Sequence, residues 1–266
     1  GFVGAVKIYL ASIKQQNKVG QTVFFSIYVI GNVVLFAITL DTWIGKVDTI
    51  RKANKDNKAV VPSGWAPFAK AFGALLDLNC ALILLPVLRT IIRYLYNRST
   101  ADQGIVSKVL RAILYFIPLD QNLKFHKLIA GVIMGATIGH TVLHYINFAV
   151  RPAAVLFLFQ GAWPLVSGGI VCFCMFLIYT AAFENTKRGQ FEIFWYSHHV
   201  FILFFVFLFT HGHGGLNPGF WHYIIAPGAL YLLERLLRIY RANQRVVVLS
   251  ATIMDDVFSL EFAKEG

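Results

Sequence analysis

Charge is scarce in this sequence: only 14% of its 266 residues are Asp, Glu, Lys or Arg, against about a quarter in soluble domains. Acid is scarcer still, with 13 Asp and Glu against 24 Lys and Arg, for a formal charge of +11. Apolar residues make up 57% of the chain and the mean hydropathy is +0.63. A soluble domain does not need so many long uncharged runs. Cysteine is limited to Cys80, Cys172 and Cys174, all inside apolar runs. There they read as small packing residues, and Cys-Phe-Cys puts its two thiols on different faces of a helix, which argues against a disulfide or metal role. A Gly-x-Gly-x-x-Gly turn after a strand is missing, so no dinucleotide site is expected here. Thr141 stands where a His-Glu-x-x-His zinc site would need its glutamate, which excludes a zinc hydrolase. The N-terminus lacks the charged, apolar, small-residue order of a cleaved leader, so no removable signal peptide is expected.

The apolar runs are about as long as a bilayer core is thick. They predict an all-α membrane protein, a six-transmembrane-helix bundle crossing at 22–44, 66–92, 123–149, 156–183, 194–209 (extending to about 212) and 221–239. Residues 1–20 mix lysines with apolar residues at helical spacing and predict an N-terminal interfacial amphipathic helix. Seventeen Lys and Arg fall on the N-terminal side of the predicted bundle, six on the other side, and Lys70 inside a span. Both termini are therefore expected in the cytoplasm. The basic charge sits between spans, which fits an anionic lipid surface and no nucleic acid. The Asn97-Arg98-Ser99 sequon would lie on the cytoplasmic side, unused. Residues 103–122 hold a surface-lying amphipathic stretch, and Asp120 is placed to cap the following helix.

Beyond Arg245 the pattern changes to alternating apolar and polar residues around Asp255-Asp256, a strand pair. The predicted organisation is thus an interfacial helix (1–20), a six-helix domain (21–242) and the beginning of a C-terminal β domain (243–266).

Histidine is distributed unevenly. Of eight, His126, His140 and His144 lie on the third run, His198, His199 and His211 frame the fifth, and His213 follows it. A single intramembrane histidine is usually a hydrogen-bonded packing residue, but this clustering points to metal ligation. His126 and His140 are 14 apart, which on one helix means about 40° in direction and about 21 Å in height. Each could therefore face a partner on another helix, one near each leaflet, as axial imidazoles of two stacked haems. On the fifth run, His198 and His211 are rotated by about 140° on a straight helix, whereas His199 and His213 repeat the 14-residue step. Geometry alone leaves that pairing open.

FHKLIAGVIMGATIGHTVLH, FEIFWYSHHVFILFFVFLFTHG, LDLNCALILLPVLRTIIRYL and APGALYLLERLLRIYR resemble the membrane domain of the NADPH oxidase family, within the wider ferric reductase-like transmembrane superfamily. The likeness covers nearly the whole chain. It implies that His126 and His198 hold a b-type haem near the cytoplasm, that His140 and His211 hold a second near the outer face, and that Phe204 lies between them. It places His144 beside the outer haem where oxygen is reduced, with Lys70 at a basic position where the family usually has arginine. A lysine there keeps the charge and loses the fixed fork. Asp77 stands where a neutral polar residue is usual, and an acid within a span needs a partner or a proton.

The activity implied is one-electron transfer from a cytoplasmic dehydrogenase domain carrying FAD and NADPH, which is not in this chain, to oxygen outside, giving superoxide at the plasma membrane. A ferric or metal-chelate reductase would use the same ladder, and a proton pathway or channel is the non-redox alternative.

Overall fold

The computed structural model describes residues 2–101, 104–117, 121–154, 162–212, 219–254 and 257–264. Helix α1 runs unbroken from Phe2–Ala53. The expected surface helix and first crossing therefore form one element, with no proline in that stretch to interrupt it. Gly20 marks where α1 meets the inner loop: a Cβ there would collide with the Tyr115 carbonyl oxygen, so only glycine allows the approach.

Helix α2 (Ala66–Leu82) starts with Pro67 in its first turn. A short 3-10 turn at Leu85–Val87, containing Pro86, follows it before α3 (Arg89–Ala101) and α4 (Ile105–Phe116). The single crossing expected at 66–92 is thus divided. Proline has no N–H to continue the helix, and the chain turns there. Helix α5 (Asn122–Val150) is continuous; its N-cap is Gln121, without a side-chain cap, and Asp120 lies outside the described residues.

Helix α6 (Trp163–Ala181) covers most of the described part of the fourth crossing, of which 156–161 lie outside the described residues. The short α7 (Glu184–Gly189) leads to α8 (Phe191–His198) and α9 (Phe201–Thr210), which divide the fifth crossing at His199–Val200. Helix α10 (Phe220–Ala242) carries Pro227 within it. Among the described residues, five helices, within 18–53, 66–87, 122–150, 163–181 and 191–210, are long and apolar enough to cross a membrane. The sixth expected crossing falls on α10, which is not among these five and whose second half carries Glu234, Arg235, Arg238 and Arg241. The chain is an integral membrane protein.

Side chains pointing outward, such as Val33, Phe173 and Phe176 at about 62% exposure, are apolar, as lipid-facing positions must be. The core gathers Cys80, Leu84, Ile129, Ile133, Cys174, Met175, Phe204 and Phe220. Cys80 and Cys174 are buried and free, in the packing role expected of them. A polar knot ties α1 to α2: Tyr28 Oη donates to Asn79 Oδ1 (2.6 Å) and Asn79 Nδ2 donates to Asn32 Oδ1 (2.6 Å). In apolar surroundings such bonds contribute about 0.6–2 kcal/mol each. Packing is uneven across the bundle. Helix α5 leans on α2, α9 and α8 lean on α6, and the two sets leave room between them.

The strand pair is present as antiparallel β1 (Val246–Met254) and β2 (Val257–Lys264), with a bulge between Val248 and Ser250. Val246, Val248, Phe258 and Phe262 are all exposed. A lone hairpin is marginally stable, so this one needs cover from elsewhere.

Candidate functional site

The space between the two helix sets is bracketed by histidines. His126 on α5 faces His198 at the end of α8 with ring centroids 6.4 Å apart, and His140, farther along α5, faces His211 at 6.1 Å. A metal ion takes imidazole nitrogen at about 2.0–2.1 Å, and a five-membered ring with sides near 1.35 Å has its centroid about 1.15 Å behind that nitrogen. Two imidazoles gripping one ion from opposite sides therefore have centroids about 6.4 Å apart. Both pairs match that spacing. Among the described residues no group of three or more His, Cys, Asp or Glu is placed to hold a metal ion.

The outer nitrogens of the rings say which nitrogen is left to bind. His126 Nδ1 is 3.2 Å from the Ile83 carbonyl oxygen, and His140 Nδ1 is 2.9 Å from that of Ala69. A carbonyl only accepts, so each Nδ1 carries the proton and each Nε2 lone pair is free for a metal. Ile83 is the C-cap of α2, where carbonyls lose their helical partners. His211 Nδ1 is 3.1 Å from Ser167 Oγ. His198 Nδ1 is buried without a hydrogen-bond partner among the described residues.

The break in the fifth crossing explains how a 13-residue step serves. His199 and Val200 donate their backbone N–H to the carbonyls three residues back, at Tyr196 and Ser197, which overwinds the chain at this point. Helix α9 then ends at Thr210, and His211 is extended (φ −73°, ψ 134°), followed by Gly212 at φ 119°, a conformation that favours glycine. His211 is thus off the helix axis altogether. His199 turns elsewhere, with Nδ1 on the Trp195 carbonyl at 2.7 Å, while His213 lies outside the described residues.

Glycine gives the outer rings their seats. A Cβ at Gly73 would lie 3.3 Å from His140 Cε1, and one at Gly168 would lie 3.0 Å from His211 Cε1. His144 stands edge-on to His140 with centroids 4.5 Å apart. Lys70 acts electrostatically on His140, His144 and His211, and on Asp77, seven residues along α2. Asp77 therefore has a basic counterpart on its own helix face. The Lys70 ammonium lies 5.0 Å from the centroid of the Trp43 ring, within cation–π range.

Beside the His126–His198 pair a cavity of about 280 Å³ is lined by His126, His198, Phe204, Tyr231, Arg235 and Arg238, among others. Phe204 is buried in its wall. Glu234, fully buried, accepts from the backbone N–H of Thr90 (2.8 Å) and Ile91 (3.0 Å) and from Arg238 Nε (2.8 Å). It caps α3 with a carboxylate and binds α3 to α10. Sequence reasoning assigned no role to Glu234, Ser167, Gly73 or Gly168. The one available signal was an acid four residues before an arginine in an otherwise apolar run.

The site is thus an apolar helical bundle that brings four histidines into two facing pairs. Residues 105–209 match the ferric reductase like transmembrane component. The chain is 34% identical over 259 residues to a superoxide-generating NADPH oxidase heavy chain of Dictyostelium discoideum, covering 89% of this chain and 45% of that protein. It is 29% identical over 272 residues to NADPH oxidase 1 of Mus musculus (74% and 44%) and 27% identical over 253 residues to NADPH oxidase 3 of Homo sapiens (68% and 43%). The chain belongs to the NADPH oxidase family and corresponds to its transmembrane part. It spans less than half the length of these curated relatives.

Proposed function

We propose that this chain is the electron-conducting membrane module of a superoxide-generating NADPH oxidase, with two b-type haems held by His126 and His198 on the inner side and by His140 and His211 on the outer side. The observation that carries the reading is the centroid spacing of 6.4 and 6.1 Å. A haem with two imidazole ligands supplies a one-electron iron couple with no open coordination position.

The residues of the chain do the placing. Helix α5 sets its two ligands about 21 Å apart along one axis, enough to bring the sites close to opposite leaflets. The Ile83, Ala69 and Ser167 oxygens fix three ring orientations. Phe204 fills the wall between the levels with an aromatic ring, and the surrounding phenylalanine-rich faces keep water away. His144 and Lys70 put a hydrogen-bond donor and a positive charge beside the outer pair, suited to oxygen becoming an anion there. FAD and NADPH belong to a cytoplasmic dehydrogenase domain beyond β2. Both termini are cytoplasmic, and the full-length protein resides in the plasma membrane.

Protein purified after expression with ample haem should show a low-spin b-type spectrum with two haems per chain, reduced by dithionite and reoxidised by air. A colourless preparation would rule the reading out. The ferric reductase like match supports one rival, delivery of electrons to a metal chelate. Oxygen-dependent superoxide formation by the full-length enzyme, undiminished when ferric chelate is absent, separates the two.

A further inference from the structure

His211 differs from the other three facing histidines in lying just past the end of its helix, tied back to α9 by its backbone N–H on the Leu208 carbonyl (3.2 Å). His126 and His140 lie within α5 and His198 is the last residue of α8, whereas His211 follows the end of α9 in extended backbone. What anchors its side chain comes from the first two turns of α6. Trp163 Nε1 donates to the Thr210 carbonyl (2.9 Å), fixing the residue just before His211. Ser167 is fully buried, and its hydroxyl lies 2.9 Å from the Trp163 carbonyl and 3.1 Å from His211 Nδ1. The carbonyl can only accept, so the hydroxyl proton goes to Trp163 and the oxygen's lone pair faces the imidazole. His211 Nδ1 must then be the protonated nitrogen, which leaves the Nε2 lone pair free, in a ring whose centroid lies 6.1 Å from that of His140. Gly168, next to Ser167, leaves the gap into which the ring edge fits.

We propose that Trp163, Ser167 and Gly168 form a clasp that positions His211, and that Ser167 is a positioning residue setting both the ring orientation and the electron donation of the outer ligand. This rests on the reading of His211 as a haem ligand. An imidazole whose second nitrogen donates a hydrogen bond is a more basic ligand, and a more basic ligand favours the oxidised metal. The clasp thus holds the outer haem at a lower potential, where it is a better donor to oxygen. It also accounts for the 13-residue step: the ligand is fixed from α6, so it need not be in phase with His198.

The test uses the purified haem-loaded protein and three variants. In Ser167→Ala the outer-haem signal in low-temperature electron paramagnetic resonance should move while the inner one stays. The outer reduction equilibrium should shift about tenfold toward the reduced form, about 59 mV for one electron. Ser167→Thr, which keeps the hydroxyl, should restore both. Trp163→Phe should broaden the outer signal without shifting the potential as far. Independently of haem, amide exchange in peptides covering 205–212 should rise about tenfold in Ser167→Ala, the loss of one buried hydrogen bond. An unchanged outer signal and unchanged exchange would overturn the clasp, as would equal behaviour of the Ala and Thr variants. Absence of haem from the unmodified protein would instead sink the ligand reading, with the exchange measurement still deciding the clasp.

Discussion

The inner and outer histidine pairs share α5 and draw their partners from the same broken crossing, yet their rings are held differently. At the inner pair one ring is anchored on the Ile83 carbonyl and the other, His198, has its Nδ1 buried without a partner among the described residues. That pair opens on a cavity whose far wall carries Arg235, Arg238 and Glu234. At the outer pair both Nδ1 atoms are anchored, both rings sit against glycines, and His144 and Lys70 stand alongside. The inner site is a roomy pocket lined in part by charged residues. The outer site is a fixed one, with both rings hydrogen-bonded at Nδ1 and seated against glycine.

The largest effect that would break this comparison is loss of one pair. Replacing His140 or His211 with alanine should reduce haem from two to about one per chain and bring superoxide formation by the full-length enzyme to background, leaving the inner spectrum. Haem extraction with a parallel superoxide assay measures it. Survival of both haems in the His211 variant, with loss in a His213 variant, would reassign the outer ligand.

Next is Glu234→Gln. The buried carboxylate caps α3 and pairs with Arg238, which also donates to the Val87 carbonyl at 3.2 Å. Removing its charge should cost about 2–3 kcal/mol, a little under the cost of breaking a fully buried pair because Arg238 is partly exposed. Thermal unfolding in detergent should show a lower midpoint. Inner-haem occupancy should fall before outer, since the inner cavity borders on α10. Equal loss from both sites would erase the distinction drawn between them.

How much of this could be read in the sequence depends on whether the chain stays helical. The facing of His126 and His140 followed from a 14-residue step because α5 is unbroken from Asn122–Val150. The 13-residue step failed as helix geometry because no residue between Ser197 and Phe201 announces a break: His-His-Val-Phe has neither proline nor glycine, and the overwound turn arises from tertiary packing. Pro86 did announce one, and the crossing expected at 66–92 could have been divided there. The polar groups that orient the rings were out of reach for another reason. Two are backbone carbonyls, which every residue has, and Ser167 reads as a small residue in an apolar helix. The family resemblance, which singled out His211, supplied what phase arithmetic could not.

Glycine substitutions sharpen the outer site on a finer scale. A methyl at Gly168 would meet His211 Cε1 at 3.0 Å, and one at Gly73 would meet His140 Cε1 at 3.3 Å. Gly168→Ala should displace a ring whose side chain is anchored from α6 and whose backbone lies past the end of α9, raising outer-haem dissociation about tenfold. Gly73→Ala should do less, since His140 is seated within a long helix whose backbone resists the push. Haem transfer to apomyoglobin gives both rates, and a larger effect from Gly73 would mean that α5 is the softer support.

The smallest expected effect lies away from both sites. Asn79→Leu removes the acceptor of Tyr28 Oη and the donor to Asn32, leaving buried polar groups on α1. The cost should be about 1–2 kcal/mol, since a span that loses one partner can often find another. Haem content and the outer potential should stay the same, because α1 contributes no ring to either pair. If the outer potential moved in this variant, α1 would be transmitting its packing to Lys70 through Trp43, whose ring lies 5.0 Å from that ammonium. The outer site would then owe its fixed character to three helices, α1 among them, and the contrast with the inner cavity would widen.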